Sequence, residues 1–176
     1  MAQRVLFSGA RLGLVQVALW ALWAAGPAQA FEGREGWLRG ANGAAARSEM
    51  VGEEGEIARR RGFVGENAAG QAVGGRAESL RGPDGGAVGR VGGFSEGPNG
   101  SLNHESAAGL RGADGTMQSQ SSFDRSGTGP ATGQRTTTAT GVDGNSYQGN
   151  TSYTQGQGIS HSGTCRNAAG AVIACP

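Results

Sequence analysis

The chain has 176 residues, of which 35 are glycine and only 6% are aromatic, and its formal net charge at pH 7 is +1. Ordering a residue costs about 1–2 kcal/mol of conformational entropy, and glycine loses the most freedom of all. So few large apolar side chains exclude one deep hydrophobic core. The chain is therefore expected to be partly disordered, shallow and repetitive, or stabilised by assembly.

Residues 1–30 have the three parts of a cleaved, helical secretory signal peptide. Arg4 and Arg11 supply the positive start, residues 12–25 form the apolar stretch, and the small residues AQA end at Ala30. The apolar stretch is shorter than the roughly 20 residues of a membrane-spanning helix. The sequence therefore predicts an exported protein (periplasmic, outer surface or extracellular) with no stable membrane span after cleavage. An uncleaved anchor is the alternative.

A glycine-rich phrase is repeated along the chain, as LRGANG at 38–43, LRGPDG at 80–85 and LRGADG at 110–115. When the chain is aligned on the glycine of this phrase, a period of 15 residues appears, with a last step of 14. The glycines that define it are Gly82, Gly97, Gly112, Gly127 and Gly141. Self-similarity of this kind predicts a repeat architecture.

The repeated phrase predicts a turn. Proline presets the first central position of G-P-D-G and G-P-N-G, Asp or Asn tolerates the next position, and glycine closes the turn. Asp-Gly between strand-like residues is also a hairpin signal. A unit of 15 residues has room for one turn and two strands of about five residues, so each unit is predicted to be one antiparallel hairpin. The predicted repeat-turn residues are Asp84, Asn99, Asp114 and Asp143.

The residues that flank the predicted turns indicate that structural order increases along the chain. Residues 31–79 are rich in Ala, Gly and Glu and are expected to be a flexible, largely disordered region with degenerate repeats. Residues 80–176 are expected to carry the mostly-β repeat of short hairpins, because Thr, Ser and Tyr become frequent there. Whether the hairpins form a sheet, a solenoid or a loose string stays open at this point.

Four residues of the C-terminal part follow one another at intervals of six: Tyr147, Tyr153, Ile159 and Cys165. An even spacing places them on one face if the strands run without bulges. A coil of a parallel β-helix is the other interpretation of this rhythm.

Cys165 and Cys175 bracket a second predicted turn, N-A-A-G at 167–170. In an exported chain two cysteines predict a disulfide bond, here a clamp on the last hairpin. A redox function would favour C-x-x-C spacing, and two thiols without suitably spaced partners make a poor metal site.

The other motifs do not predict catalysis. Phosphate-binding loops need G-x-G-x-x-G before a helix or a G-K-[ST] segment, and the chain has no lysine. His104 and His161 lie in polar, glycine- and serine-rich stretches, and HES at 104–106 suits a solvated loop. We therefore predict no catalytic residue, no cofactor and no metal ligand. Nucleic-acid binding is excluded too, because no basic face with interleaved aromatic residues is present.

From Leu80 onward, the G-P-[DN]-G turns, the Thr-rich segments and the closing CRNAAGAVIACP resemble bacterial exported glycine-rich hairpin-repeat proteins, a group of uncharacterised function. The resemblance implies alternating turns and Thr/Ser strands with a cysteine-bracketed end, and it carries no functional residue across.

Together these features predict a non-enzymatic exported repeat protein with a structural or surface-interaction role. Its expected partners are like chains or cell-envelope polymers. A calcium- or glycan-binding repeat module, ordered by the recurring Asp and Asn oxygens, is the alternative, and a disordered spacer is a further one.

Overall fold

A computed structural model of the chain describes residues 32–175. They form one antiparallel sheet in which each strand pairs with the strands that precede and follow it in sequence. Among the described strands only sequence neighbours contact one another, so the sheet is a single layer. The strands are β1 Glu32–Gly40, β2 Gly43–Val51, β3 Ile57–Glu66, β4 Ala72–Arg81, β5 Ala87–Glu96, β6 Leu102–Gly112, β7 Gly115–Arg125, β8 Thr132–Gly141, β9 Ser146–Thr154, β10 Gly158–Arg166 and β11 Val172–Ile173.

The 15-residue period is one strand plus one turn. Strands β3, β4, β5 and β6 begin at Ile57, Ala72, Ala87 and Leu102, each 15 residues after the last. The prediction that each unit is a complete hairpin is therefore wrong, because strands β1 to β10 have nine to eleven residues instead of five. Long strands are favoured here because an isolated short hairpin is marginal in water, whereas an interior strand is paired along both edges.

The prediction of a flexible region at 31–79 also needs correction. Strands β1, β2 and β3 and most of β4 lie there, and each is paired with its neighbour along its length. Ala, Gly and Glu have low strand propensity as side chains. Their backbone N–H and C=O groups still complete the ladder that the later strands continue, since every residue offers the same two groups.

The core is as shallow as the composition predicts. Within the described residues, the buried side chains are those of Ala131, Cys165 and Ser119, and no side chain is completely buried. Packing takes place on the surface of the sheet, where aromatic rings lie over glycines of the neighbouring strand. A Cβ built on Gly75 would lie 2.9 Å from Phe63 Cε1, and one built on Gly74 would lie 2.9 Å from Phe94 Cζ. Such rings cover backbone that a glycine leaves bare.

The predicted signal peptide at 1–30 lies outside the described residues. Within residues 32–175 no helix has the length and hydropathy of a membrane span.

Candidate functional site

Most strands are joined by a five-residue turn with one hydrogen-bond pattern. In the turn at 82–86, Gly82 N–H donates to Gly86 O over 2.8 Å, and Gly85 N–H donates to Gly82 O over 3.2 Å. The fourth residue is a glycine with positive φ, 84° at Gly85, a conformation that other L-residues adopt at a cost. The same two bonds recur in the turns at 52–56, 67–71, 97–101, 141–145 and 167–171.

Three of the four predicted repeat-turn residues occupy the third position of this turn. Their side-chain Oδ1 accepts a hydrogen bond from the N–H two residues later: Asp84 from Gly86 over 3.3 Å, Asn99 from Ser101 over 3.1 Å, and Asp143 from Asn145 over 3.0 Å. These side chains lie inside the turn, because a Cβ on the first residue, Gly82, would lie 2.8 Å from Asp84 Oδ1. The arrangement is an Asx-type cap.

In the two N-A-A-G turns the capping residue is the first one. Asn67 Oδ1 accepts the N–H groups of Ala69 and Gln71, and Asn167 Oδ1 accepts that of Ala171 over 2.9 Å. None of the six turns has both an Asn at position one and an Asp or Asn at position three, and the turn at 52–56 has neither. The repeated letters NAAG at 67–70 and 167–170 are the sequence signal for this second form.

The fourth repeat-turn residue, Asp114, lies in a different turn. Gly112 pairs directly with Gly115, so Ala113 and Asp114 form a two-residue turn, as Ala41 and Asn42 do in LRGANG. LRGPDG instead forms the five-residue turn at 82–86, in which Pro83 takes the second position. The ring of Pro83 fixes φ near −65°.

Successive turns lie at opposite ends of the sheet, because the strands alternate in direction. Asp84, Asp114 and Asp143 are therefore at one end and Asn99 at the other. Turns at the same end are two strands apart, about 9.6 Å, whereas ligands of one calcium ion each lie about 2.3–2.6 Å from it. The described residues contain no group of three or more His, Cys, Asp and Glu side chains that could hold a metal ion.

Cys165 and Cys175 are joined by a disulfide bond with a Cα–Cα distance of 5.2 Å. The bond holds the short strand β11 against the end of β10, where Cys165 pairs with Ile173 and Arg166 with Val172. The cysteine-bracketed turn at 167–171 lies between them.

The register divides the two faces of strands β7 to β10 by chemistry. One face, the polar face, carries only hydroxyl and amide side chains at its central positions, and nearly all of them are exposed. Paired residues share a face, so these side chains form rows across the four strands. The polar face consists of Gln118, Gln120, Ser122, Gln134, Thr136, Thr138, Gln148, Asn150, Ser152, Ser160, Ser162 and Thr164.

The opposite face, the aromatic face, carries the four residues spaced by six. Tyr147 pairs with Cys165 and Tyr153 pairs with Ile159, which confirms that the four share a face. The interpretation as a parallel β-helix coil is wrong, because β9 and β10 are antiparallel. The same face carries Phe94 and Phe123 on the earlier strands, on either side of His104.

Both histidines lie on strands, with their side chains on the aromatic face, so the solvated loop predicted for HES at 104–106 is wrong. His104 is on β6 and His161 is on β10. Tyr147 Oη lies 3.0 Å from His161 Nε2, and Thr151 Oγ1 lies 2.9 Å from His161 Nδ1. Because both ring nitrogens form hydrogen bonds with hydroxyl groups of β9, this imidazole links β10 to β9.

An ion pair links β2 and β3, near the β1 edge of the sheet. Arg59 Nε donates to Glu49 Oε2 over 2.7 Å, from β3 to β2. This hydrogen bond, and then the charge of the same guanidinium, lower the pKa of Glu49. Both side chains are about half exposed, so solvent screens the pair.

The two edges of the sheet differ. Within the described residues, β1 pairs only with β2, and nothing covers its outer edge. The outer edge of β10 is covered at one end by β11. Trp37 and Leu38 on β1 are 77% and 76% exposed, the highest values among the large apolar side chains described.

Comparison of the chain with family models, with curated proteins and with solved structures finds no match.

Proposed function

We propose that this is an exported, non-enzymatic repeat protein whose sheet acts as a contact surface for cell-envelope polymers. The observation that carries the proposal is the polar face, a two-dimensional array of exposed hydroxyl and amide groups on paired strands. Neighbouring groups are about 4.8 Å apart across strands and about 6.8 Å apart along a strand. Polysaccharides present hydroxyl groups at a similar density.

The arrangement favours weak contacts repeated many times. An uncharged hydroxyl or amide contributes only about 0.5–1.5 kcal/mol per hydrogen bond made, so one contact binds weakly. Contacts in parallel raise the effective concentration of each group for the polymer. The paired strands hold these groups in place, which limits the ordering cost of binding.

The proposal of export is supported by the disulfide between Cys165 and Cys175, which is compatible with an oxidising compartment. The signal-like residues 1–30 point in the same direction. The resemblance to exported glycine-rich repeat proteins stays part of this proposal.

The test is co-sedimentation of the oxidised chain with purified peptidoglycan. The variant Thr136→Ala/Thr138→Ala removes two hydroxyls from the polar face of β8, and Thr137→Ala is the matched control on the aromatic face of the same strand. We expect the double variant to bind about five-fold more weakly or worse, given two lost hydrogen bonds, and the control to bind like the original chain. Equal binding by all three, or no binding by any, would refute the proposal.

A further inference from the structure

Strand β1 has an unpaired edge with an ordered pattern of charges. The strand reads EGREGWLRG, and within residues 32–175 its outer N–H and C=O groups have no strand partner. Unpaired edges accept strands from other chains, and many proteins prevent this with proline, bulges or repelling charges. Here Glu35 and Arg39 are of opposite sign, on either side of Trp37.

The turn that follows β1 determines which residues of β1 point their backbone N–H and C=O groups away from β2. Gly40 pairs with Gly43 across a two-residue turn, and such flanking residues exchange both of their backbone hydrogen bonds. The alternation of an antiparallel ladder then turns the N–H and C=O groups of every second residue away from β2. Those residues include Glu35, Trp37 and Arg39.

We propose that β1 is a homodimer interface, in which the β1 strands of two copies pair antiparallel about a two-fold axis at Trp37. In this register Trp37 lies opposite Trp37 of the partner subunit, and Glu35 lies opposite the partner's Arg39. The symmetry repeats the second pair, with Arg39 opposite the partner's Glu35. The two copies then share one continuous sheet, joined by about six backbone hydrogen bonds.

The charges select this register among those that the outward groups allow. A two-fold axis at Glu35 would place two carboxylates opposite each other, which is destabilising. An axis at Gly36 would place Glu35 opposite the partner's Trp37 and leave Arg39 opposite the partner's Gly33. The axis at Trp37 gives two ion pairs and one aromatic pair on one face. On the other face it covers Gly36 with the partner's Leu38, one of the most exposed apolar side chains.

The two-fold symmetry of this interface makes the assembly finite, and the opposite edge is partly covered. Strand β11 and its disulfide cover one end of β10, so head-to-tail addition of β10 to β1 would meet this clamp. Pairing of β1 with itself uses the same surface on both copies and closes after two. This interface extends the proposed surface role to a second site, on the edge instead of the polar face. The peptidoglycan experiment and the dimer experiment can therefore fail independently.

The test is sedimentation velocity of the oxidised full chain over a range of concentrations, with a charge swap. Glu35→Arg and Arg39→Glu each place like charges opposite one another twice, and we expect each to weaken the dimer by about ten-fold or more. The double variant E35R/R39E restores opposite charges in the same register. We expect it to dimerise within about three-fold of the original chain.

The matched control is Glu105→Arg on the interior strand β6, an exposed carboxylate far from β1 that should leave the dimer unchanged. Amide hydrogen exchange gives the second measurement: the amides of Glu35, Trp37 and Arg39 should become protected as concentration rises. A monomer at every concentration would overturn the proposal. So would a dimer that neither single variant weakens, or single variants that the charge swap does not rescue.

Discussion

The ring of Tyr147 lies over Gly163, on the neighbouring strand, in the space that a side chain would need. A Cβ built on Gly163 would lie 2.8 Å from Tyr147 Cε2 and 3.0 Å from its Oη. The ring also lies over Gly149 on its own strand, and its hydroxyl group contacts His161. In a single-layer sheet, contacts of this kind take the place of a core.

Gly163→Ala is expected to destabilise the sheet by about 1–3 kcal/mol, because the new methyl group displaces the ring of Tyr147. The control is Gly89→Ala, where a Cβ would lie 3.7 Å from Glu78 O, an ordinary contact. That change should be neutral or stabilise by about 0.5–1 kcal/mol, because alanine costs less entropy than glycine in a strand. Urea unfolding followed by circular dichroism measures both. A Gly163→Ala variant as stable as the Gly89→Ala variant would contradict the packing role of Tyr147.

Gly85→Ala tests the positive φ of the five-residue turn. No atom lies within 4 Å of a Cβ built there, so only the backbone conformation at φ 84° opposes the change. We expect a loss of about 1–2 kcal/mol. Gly40→Ala is the matched control. A Cβ built on Gly40 also meets open space, but this glycine is not at positive φ. If the two variants unfold at the same urea concentration, the turn imposes no such constraint.

Reduction of the Cys165–Cys175 disulfide is expected to release β11 and the adjoining end of β10. Cross-linking residues ten apart stabilises a chain by about 2–3 kcal/mol in the chain-entropy model. Amide hydrogen exchange of the oxidised and reduced chains should differ most at Val172, Ile173 and the C-terminal end of β10. Exchange in β3 to β6 serves as the internal control, and faster exchange there on reduction would mean that the clamp stabilises the whole sheet.

The Glu49–Arg59 pair gives a stability contribution that depends on pH. The folded chain lowers the pKa of Glu49, so this contribution is present above the pKa of about 4.3 of the unfolded chain. It is lost as pH falls through the lower, folded-state pKa. Glu49→Gln should therefore reduce the loss of stability below pH 4, and Glu105→Gln, which leaves the ion pair intact, is the control. Identical pH profiles of stability for the two variants would show that the pair contributes nothing.

Local chemistry explains which parts of the fold could be predicted. G-P-D-G, G-P-N-G and N-A-A-G mark turns because proline, Asx side chains and glycine act within four or five residues. The alternation of exposed Gln, Asn and Ser with half-buried Tyr identifies one face of β9 in the same way. The predictions of short strands and of a disordered region at 31–79 were wrong. Both properties depend on pairing with neighbouring strands, whose side chains give weak local signals.

The same distinction between local chemistry and strand pairing applies to the proposed functional surfaces. The sequence by itself determined the turn positions, the thin core and the disulfide partners, because each depends on residues close together in the chain or on composition. Only the tertiary structure decided that the strands form one open layer, that the polar side chains of β7 to β10 lie in adjacent rows, and that β1 is an uncovered edge. The physical reason is that backbone hydrogen bonds between strands are offered equally by almost every residue. Their partners are chosen by the whole sheet and not by any one segment.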